Sequence, residues 1–442
     1  MSLADLTRLG RMWIPAIVVG RIVIRRAVGE RASVPQGGER TTVPGVGAEM
    51  TFTTDIDSVR ARRLVAGSSV ILHCHHYNSR LQKAIEGTTA VDGRGLWMAS
   101  AESSWTGVLE RAMAGVSAPR DRWQRCLDLY QFLGFGRLQV PDGELPETQV
   151  VGVASHFVEG WSAREPERTQ PVCSFTAGFL QAAVWVALGR AVTFEEVACQ
   201  QGRAPACEFV LRPRAGAAPR PIGVVAAKPS DAPAAPVGPV RPGVDEAKIV
   251  EAVSSMPIAG DDRGLIPAFN VFLASMPADF YNHASVTFLA AMREAGMGAL
   301  GRRLLMQVAE ICGLNTFAGI RSSAEWDALI APMCHDPADE MIGLVAVSNA
   351  LGWGSWRVTD LVPGESMRLS AGNGYEAEGQ LELVGPSHEP CCVMLTGVSA
   401  GLMDLVYGTG SVRERVGQFA ASEHRCRASG AERCEFLAEE AA

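Results

Sequence analysis

Two stretches of this chain carry the same set of soft and acidic side chains at the same intervals. "FEEVACQQGRAPACEF", residues 194–209, and "SEHRCRASGAERCEF", residues 422–436, each place a Glu three residues before a Cys and a second Cys eight residues later, followed by an acidic residue and Phe. Adding the upstream Cys173 to the first gives Cys173, Glu196, Cys199 and Cys207; adding Cys392 or its neighbour Cys391 to the second gives Glu423, Cys426 and Cys434 with one of that pair. Three thiolates and a carboxylate close a tetrahedral shell around zinc. Such a shell has no open position, so the expected ion is structural, up to two per chain, and performs no chemistry. The competing reading is a pair of buried apolar cysteine clusters, which the recurrence of Glu in register argues against.

The Glu-x-x-Cys spacing reads as the last turn of a helix, where residues three apart share a face. Gly202 is the expected reversal point. Cys207 should then open a strand with Cys207, Phe209 and Leu211 on one side. Cys173 is read as the end of a preceding strand. Cys392 matches Cys173 better than Cys391 does, because both stand five residues before a Gly, Gly178 and Gly397.

The pattern Cys, Gly-bearing buried helix, Glu-x-x-Cys-x7-Cys-x-Phe resembles that of the 4-vinyl reductase (hydrocarbon-binding) domain family, which also supplies the ligand-sensing domains of phenol- and xylene-responsive activators. Cys173, Gly178, Glu196, Cys199, Cys207 and Phe209 fill it once, and Cys392, Gly397, Glu423, Cys426, Cys434 and Phe436 fill it again. The resemblance implies an α+β ligand-binding fold of the nitric-oxide-signalling and Golgi-transport type, a structural zinc, an apolar cavity for an aromatic or tetrapyrrole-like molecule, and dimers. The ATPase and DNA-binding regions of the activators have no counterpart here.

The surrounding elements repeat in the same order. Tyr77-Asn78 answers Tyr281-Asn282, "LGFG" at 133–136 answers "LGWG" at 351–354, and "PVCSFTAGFLQAAVWVALG" at 171–189 answers "PCCVMLTGVSAGLMDLVYG" at 390–408. Residues 213–243 hold eight Pro and eight Ala without hydrophobic periodicity, which reads as a linker. The expected organisation is an N-terminal basic and apolar helix over 1–43, a first domain over 44–212, a disordered linker over 213–244 and a second domain over 245–442. Two helix-plus-antiparallel-sheet domains of one α+β design suit a chain of 442 residues.

Composition narrows the function classes. Net charge is -8 and 47% of residues are hydrophobic, so no basic footprint for nucleic acid exists. Eleven Cys, an odd number, suit a reduced, cytoplasmic compartment with metal ligands better than a disulfide framework. Residues 1–40 carry seven Arg against three acidic residues. Their apolar run is broken by Pro15 and Gly20, which suits a helix packed on its own protein or a peripheral membrane contact but no spanning segment.

"ILHCHHYN", residues 71–78, adds His73, His75 and His76. On a strand, His73 and His75 would share one face and could bind a metal or hydrogen-bond a phenolic guest; the bland alternative is a polar edge strand leading to an Asn78 helix cap. Only the first half has this cluster. Phe135 and Trp353, each between two glycines, and His156 complete the expected ligand-contacting set. The function these residues favour is a tandem zinc-stabilised protein that holds a small hydrophobic or aromatic ligand in a sensory or carrier role. The alternatives are a 4-vinyl-reductase-like or other oxidoreductase component using His73, His75 and His76, and a purely structural interaction protein. No Walker loop or HExxH occurs.

Overall fold

The computed structural model describes residues 52–441 apart from 59, 142, 215–218, 220, 222–237 and 239–240. The expected helix over 1–43 and most of the Pro/Ala-rich linker lie outside the described residues. Where description resumes at Arg241, that side chain is ion-paired with Asp336 and Asp339, and Val244 is buried.

The chain is α+β, with three antiparallel sheets among the described residues. The first is five-stranded in the order β1-β2-β3-β9-β8, where β1 is Thr54–Asp57, β2 Arg62–Val65, β3 Ser68–Cys74, β8 Ile266–Ala268 and β9 Val271–Pro277. The others are four-stranded and topologically alike. One runs β4-β5-β7-β6 (Gly136–Gln139, Gln149–Ser155, Cys207–Pro213, Val192–Ala198), the other β10-β11-β13-β12 (Trp356–Val362, Ser366–Ala371, Cys434–Glu440, Phe419–Arg425). Both are built from equivalent strands of their own half, with the same bulge in the same strand.

The five-stranded sheet joins the halves, because β3 pairs with β9. The register is symmetric about the pair Leu72↔Ser275: Val70 faces Pro277 while Cys74 faces Leu273. A shift of 203 residues therefore carries one strand onto the other. The same shift superposes the tight hairpin turns. Ala66 and Gly67 have φ 48° and 72°, and Phe269 and Asn270 have φ 52° and 58°, as a two-residue hairpin turn of the primed type requires. It also superposes the helix caps Cys74 and Pro277. This corrects the Tyr-Asn landmark by one residue: Asn78 corresponds to Tyr281, and Tyr77 to Phe280.

Each Leu-Gly-aromatic-Gly turn docks on the strand of the opposite half. Ser275 N donates to Leu133 O at 2.8 Å, and Leu72 N donates to Leu351 O at 3.0 Å. Gly134 and Gly352 take φ +89° and +91°, and a Cβ on either would sit 2.9 Å from the opposite strand's Leu273 O or Val70 O. The glycines thus serve the approach of one backbone to another. Phe135 and Trp353 between them are fully buried.

Two apolar helices, Ser174–Leu188 and Val393–Tyr407, are buried on almost every face and lie against the long helices Gly93–Ala112 and Gly298–Arg321. Gly178 and Gly397 make those contacts close. A Cβ there would stand 2.4 Å from Met98 O and 2.1 Å from Met306 O, respectively. No described helix is long and apolar enough to cross a membrane.

Candidate functional site

The two Cys/Glu sets converge. In each group, one ligand atom from Cys173, Glu196, Cys199 and Cys207, or from Cys392, Glu423, Cys426 and Cys434, lies within 4.8 Å of all the others. The elements achieve this differently from the sequence-based expectation. Glu196 lies on β6 and not on a helix, and residues three apart on a regular strand face opposite ways. A bulge resolves the conflict: Glu196 pairs with Phe209 and Ala198 with Glu208, so Val197 is the extra residue and Cys199 returns to the side of Glu196. The second half repeats it, with Glu423 opposite Phe436 and Arg425 opposite Glu435. Cys207 opens β7 with alternate residues buried, as expected. The reversal itself rests on Arg203 at φ 68°, one residue beyond Gly202, where the second half has Gly430 at φ 92°. Cys173 and Cys392 come not from strands but from the N-cap positions of the two buried helices.

The sulfur spacing suits one central ion. Cys173 Sγ to Cys207 Sγ is 3.7 Å and Cys207 Sγ to Cys199 Sγ is 3.8 Å; in the second group Cys392 to Cys434 is 3.7 Å and Cys434 to Cys426 is 4.0 Å. A tetrahedron of Zn–S bonds of about 2.3 Å has edges of about 3.8 Å, whereas a disulfide would need about 2.05 Å. Glu196 Oε2 accepts from Cys173 N and Glu423 Oε2 from Cys392 N, both at 2.8 Å. Their other oxygens, Glu196 Oε1 and Glu423 Oε1, are buried without a partner. Two orphaned carboxylate oxygens in equivalent positions, each facing three sulfurs, are what a cation would satisfy. Gln200 N and Arg427 N donate to Cys207 Sγ and Cys434 Sγ at 3.4 Å, orienting those sulfurs as outer partners do around bound metals.

Without an ion the groups cannot all ionise. Burial, then the Cys199 thiolate, push Glu196 up to about 8, and burial, then Cys426, push Glu423 up to about 8. Hydrogen bonding to Cys199 and Cys207, ahead of burial, pushes the Cys173 thiol well up. A divalent cation would reverse that ordering. Cys392, and not Cys391, completes the second group; Cys391 Sγ lies 3.6 Å from Cys426 Sγ, outside it.

The histidines do not share a strand face. Only His73 lies on β3, which is the middle strand of its sheet and not an edge. His75 and His76 begin the helix His75–Glu86, capped by Cys74 and not by Asn78. His73 is stacked between Tyr77 and Trp353, with centroids at 4.4 and 4.6 Å, and Tyr281 meets its edge at 5.0 Å. Both of its ring nitrogens are buried without a partner. His75 Nδ1 accepts from Phe272 N at 3.1 Å. Among the described residues the three form no further metal-ligating group.

His156 and Asn78 belong together, which no spacing revealed. Asn78 Nδ2 stands 2.9 Å from His156 Nε2, and Tyr281 OH donates to Asn78 Oδ1 at 2.5 Å. The chain of contacts runs Tyr281, Asn78, His156 across both halves, and ends at His156 Nδ1, which is buried and unpartnered. Phe135, Phe157 and His75 surround that ring. Burial holds His73 and His156 down to about 3 and His75 to about 2, so all three are neutral near pH 7.

The expected apolar cavity is not open beside the first Cys/Glu group. The space beside Cys173 and Cys207, bounded by Tyr130, Leu138, Thr176 and Phe209, does not admit a water molecule. A hollow of about 210 Å³ lies against the second four-stranded sheet, but Thr359, Arg368, Ser370, His424, Arg433 and Glu435 make it polar. Phe135 and Trp353 belong to packed aromatic clusters with Trp105, Tyr130 and Phe175, and with Phe317 and Trp356.

No family model and no curated protein matches the chain. Among solved structures, the phenol-responsive sensory domain of the transcription activator PoxR, with phenol, is similar over 40% of this chain and 81% of that one, at 14% identity and a TM-score of 0.31. At that score the likeness carries no argument about what this chain binds.

Proposed function

We propose that the chain is a zinc-stabilised small-molecule binding protein with a sensory or carrier role, in which the two halves stand in for the two subunits of a dimer. Zinc is the ion assigned to both Cys/Glu groups, since three thiolates and one carboxylate on tetrahedral edges suit it and leave no open position for a substrate. Eleven cysteines, all free thiols, suit a reducing, cytoplasmic compartment.

One observation carries the binding role: His73 and His156 place three unpartnered ring nitrogens, each able to accept a hydrogen bond, among buried aromatic rings, where the Trp97 and Trp105 indole nitrogens are unpartnered too. Such atoms cost about 1–3 kcal/mol each when unpaired, and a hydroxyl-bearing aromatic guest would satisfy them while its ring joined the Phe135, Phe157 and Phe175 cluster. Uptake then requires these side chains to part, because His73 and His156 and the rings around them are buried.

The test is elemental analysis of the purified protein together with mass spectrometry of its solvent extract and titration with phenol. Two zinc ions per chain and a guest or phenol affinity that His156→Ala abolishes, with zinc content unchanged, are the expected results. Guest-free protein whose response to phenol is the same in His156→Ala would remove the binding role, and a metal-free, fully folded preparation would remove the zinc.

A further inference from the structure

The helix His75–Glu86 presents His76, Arg80 and Lys83 at intervals of four and three residues, on one face. The helix His156–Arg164 crosses it closely: a Cβ on Gly160 would lie 2.4 Å from His75 O and 2.9 Å from Ser79 Oγ. That crossing brings Arg164 onto the same face, where its NH1 donates to Ser79 Oγ at 3.4 Å. Arg168 follows, lying over the Trp161 ring at 4.2 Å with its Nε buried and unpartnered. Anionic partners are few. Glu165 is engaged by Lys83, and Glu86 by Ser174 and Gln82, with Arg94 at 3.7 Å. Among the described residues Arg80 makes no hydrogen bond and no ion pair; its nearest titratable neighbours are the buried Cys74 and Cys312 thiols.

A cluster of desolvated cations with too few counter-charges, here Glu165 against Lys83 and Glu86 against Arg168, is unfavourable unless an anion completes it. The electrostatics agree: burial and then Arg80 bring Arg164 down to about 9, and burial and then Arg164, Arg168 and Arg80 bring Lys83 down to about 8. His76 is lowered to about 4 by burial, then by Arg164 and Arg80. His76, Arg80, Lys83, Arg164 and Arg168 are all half-buried, so solvent can reach them. The second half lacks the feature. At the positions equivalent to His76 and Arg80 it has Asp279 and His283; Arg62 and Arg111 there face Asp279, Arg62 also pairs with Glu378, and His283 bonds Ser100 Oγ at 2.9 Å.

We propose that Arg80, Arg164 and Arg168, with Lys83 and His76 at the rim, form a binding site for a phosphate-type dianion, either a free phosphate ester or a lipid headgroup. Guanidinium forks match phosphate oxygens two at a time, and three guanidiniums with one ammonium, less the carboxylates of Glu165 and Glu86, leave two positive charges, which a dianion balances and a single carboxylate does not. The site stands independently of the guest assigned to the aromatic shell.

Thermal melting of the full chain in inorganic phosphate against chloride at equal ionic strength tests it, with flotation on phosphatidylcholine vesicles with and without phosphatidic acid as the second arm. Phosphate at ten times its dissociation constant should raise Tm by about 3 °C, and Arg80→Gln and Arg164→Gln should abolish that rise. Binding to phosphatidic acid vesicles that either variant abolishes, without a response to free phosphate, would identify a headgroup as the source. In chloride the variants should melt at or above the parent's temperature, because each removes an unbalanced cation. The proposal is overturned if neither arm distinguishes parent from variants, or if Arg80→Gln and Arg164→Gln melt several degrees below the parent in chloride, which would make the cluster structural.

Discussion

The two halves agree where sulfur and backbone meet and diverge where buried charge is placed. Cys173, Glu196, Cys199 and Cys207 are reproduced by Cys392, Glu423, Cys426 and Cys434 down to the strand bulge, the orphaned carboxylate oxygen and the 2.8 Å bond from the helix cap. By contrast, His73, His75 and His156 of the first half give way to Met276, Ala278 and Tyr375. Phe157 gives way to Glu376, whose oxygens accept from Met394 N and Leu395 N at 2.9 Å. A repeated cage preserved beside a remodelled interior is what one expects when the cage holds the fold and the interior holds the task.

The largest test of that division removes a cage ligand. Cys199→Ser and Cys426→Ser should each reduce the metal content from two to one ion per chain and lower stability by several kcal/mol, since binding free energies at such sites reach about 10 kcal/mol or more. Metal analysis with thermal melting reads both effects. Equal losses would support equivalent cages; a loss confined to one half would mean that only one cage holds the fold.

Acid and base should separate the interiors with opposite sign. His73, His75 and His156 are neutral in the folded chain and held well below the ordinary histidine value near 6.5. The unfolded chain therefore binds more protons as pH falls below 6.5, and stability drops by about 1.4 kcal/mol per pH unit for each histidine. In the second half, burial and then Asp404 raise Glu310 to about 8, and burial raises Glu376 to about 7. Folding keeps those carboxyls protonated, so their contribution is present below about 4.5 and is lost as pH rises to 7–8. The first-half equivalent of Glu310 is Glu102, which pairs with Arg214 at 2.6 Å. His156→Gln should flatten the acid side of a stability-against-pH curve measured by denaturant titration, and Glu310→Gln the neutral side. Unaltered slopes in both would mean that the buried groups titrate in the folded chain as they do in water.

Much of the cage was legible in the sequence because its ligand types, intervals and following Phe repeat. Its geometry was less so. An interval of three is shared by a helical face and a bulged strand, and only the pairing of Glu196 with Phe209 and Ala198 with Glu208 distinguishes them. The α+β class and the landmark order were readable from periodicity, but the sheet joining the halves was not, since a strand's alternation says which side is buried and not which strand lies beside it. The Tyr-Asn dipeptides misled by one residue for the same reason: local identity competed with a register that only Leu72↔Ser275 defines. His156 and Asn78 are 78 residues apart, and no local pattern links them.

The smallest expected effect concerns a thiol beside the second cage that the first half lacks. Cys391 stands where the first half has Val172, next to the cage but outside it, with its Sγ 3.6 Å from Cys426 Sγ. A hydrogen bond with Cys392 favours the charged form of this thiol, but the bond to Cys426 and burial together outweigh it and keep it protonated, while hydrogen bonds from Cys391, Cys392 and Cys434 all favour the charged form of Cys426. Cys391 therefore acts toward the cage as a donor to one of its sulfurs and not as a ligand. Cys391→Ser keeps a donor at nearly the same place, so metal content should remain at two ions and stability should change by less than about 0.5 kcal/mol. Cys392→Ser removes a cage sulfur and should behave like Cys426→Ser. The reverse order in metal analysis would transfer the fourth position to Cys391 and show that the second cage is built differently from the first.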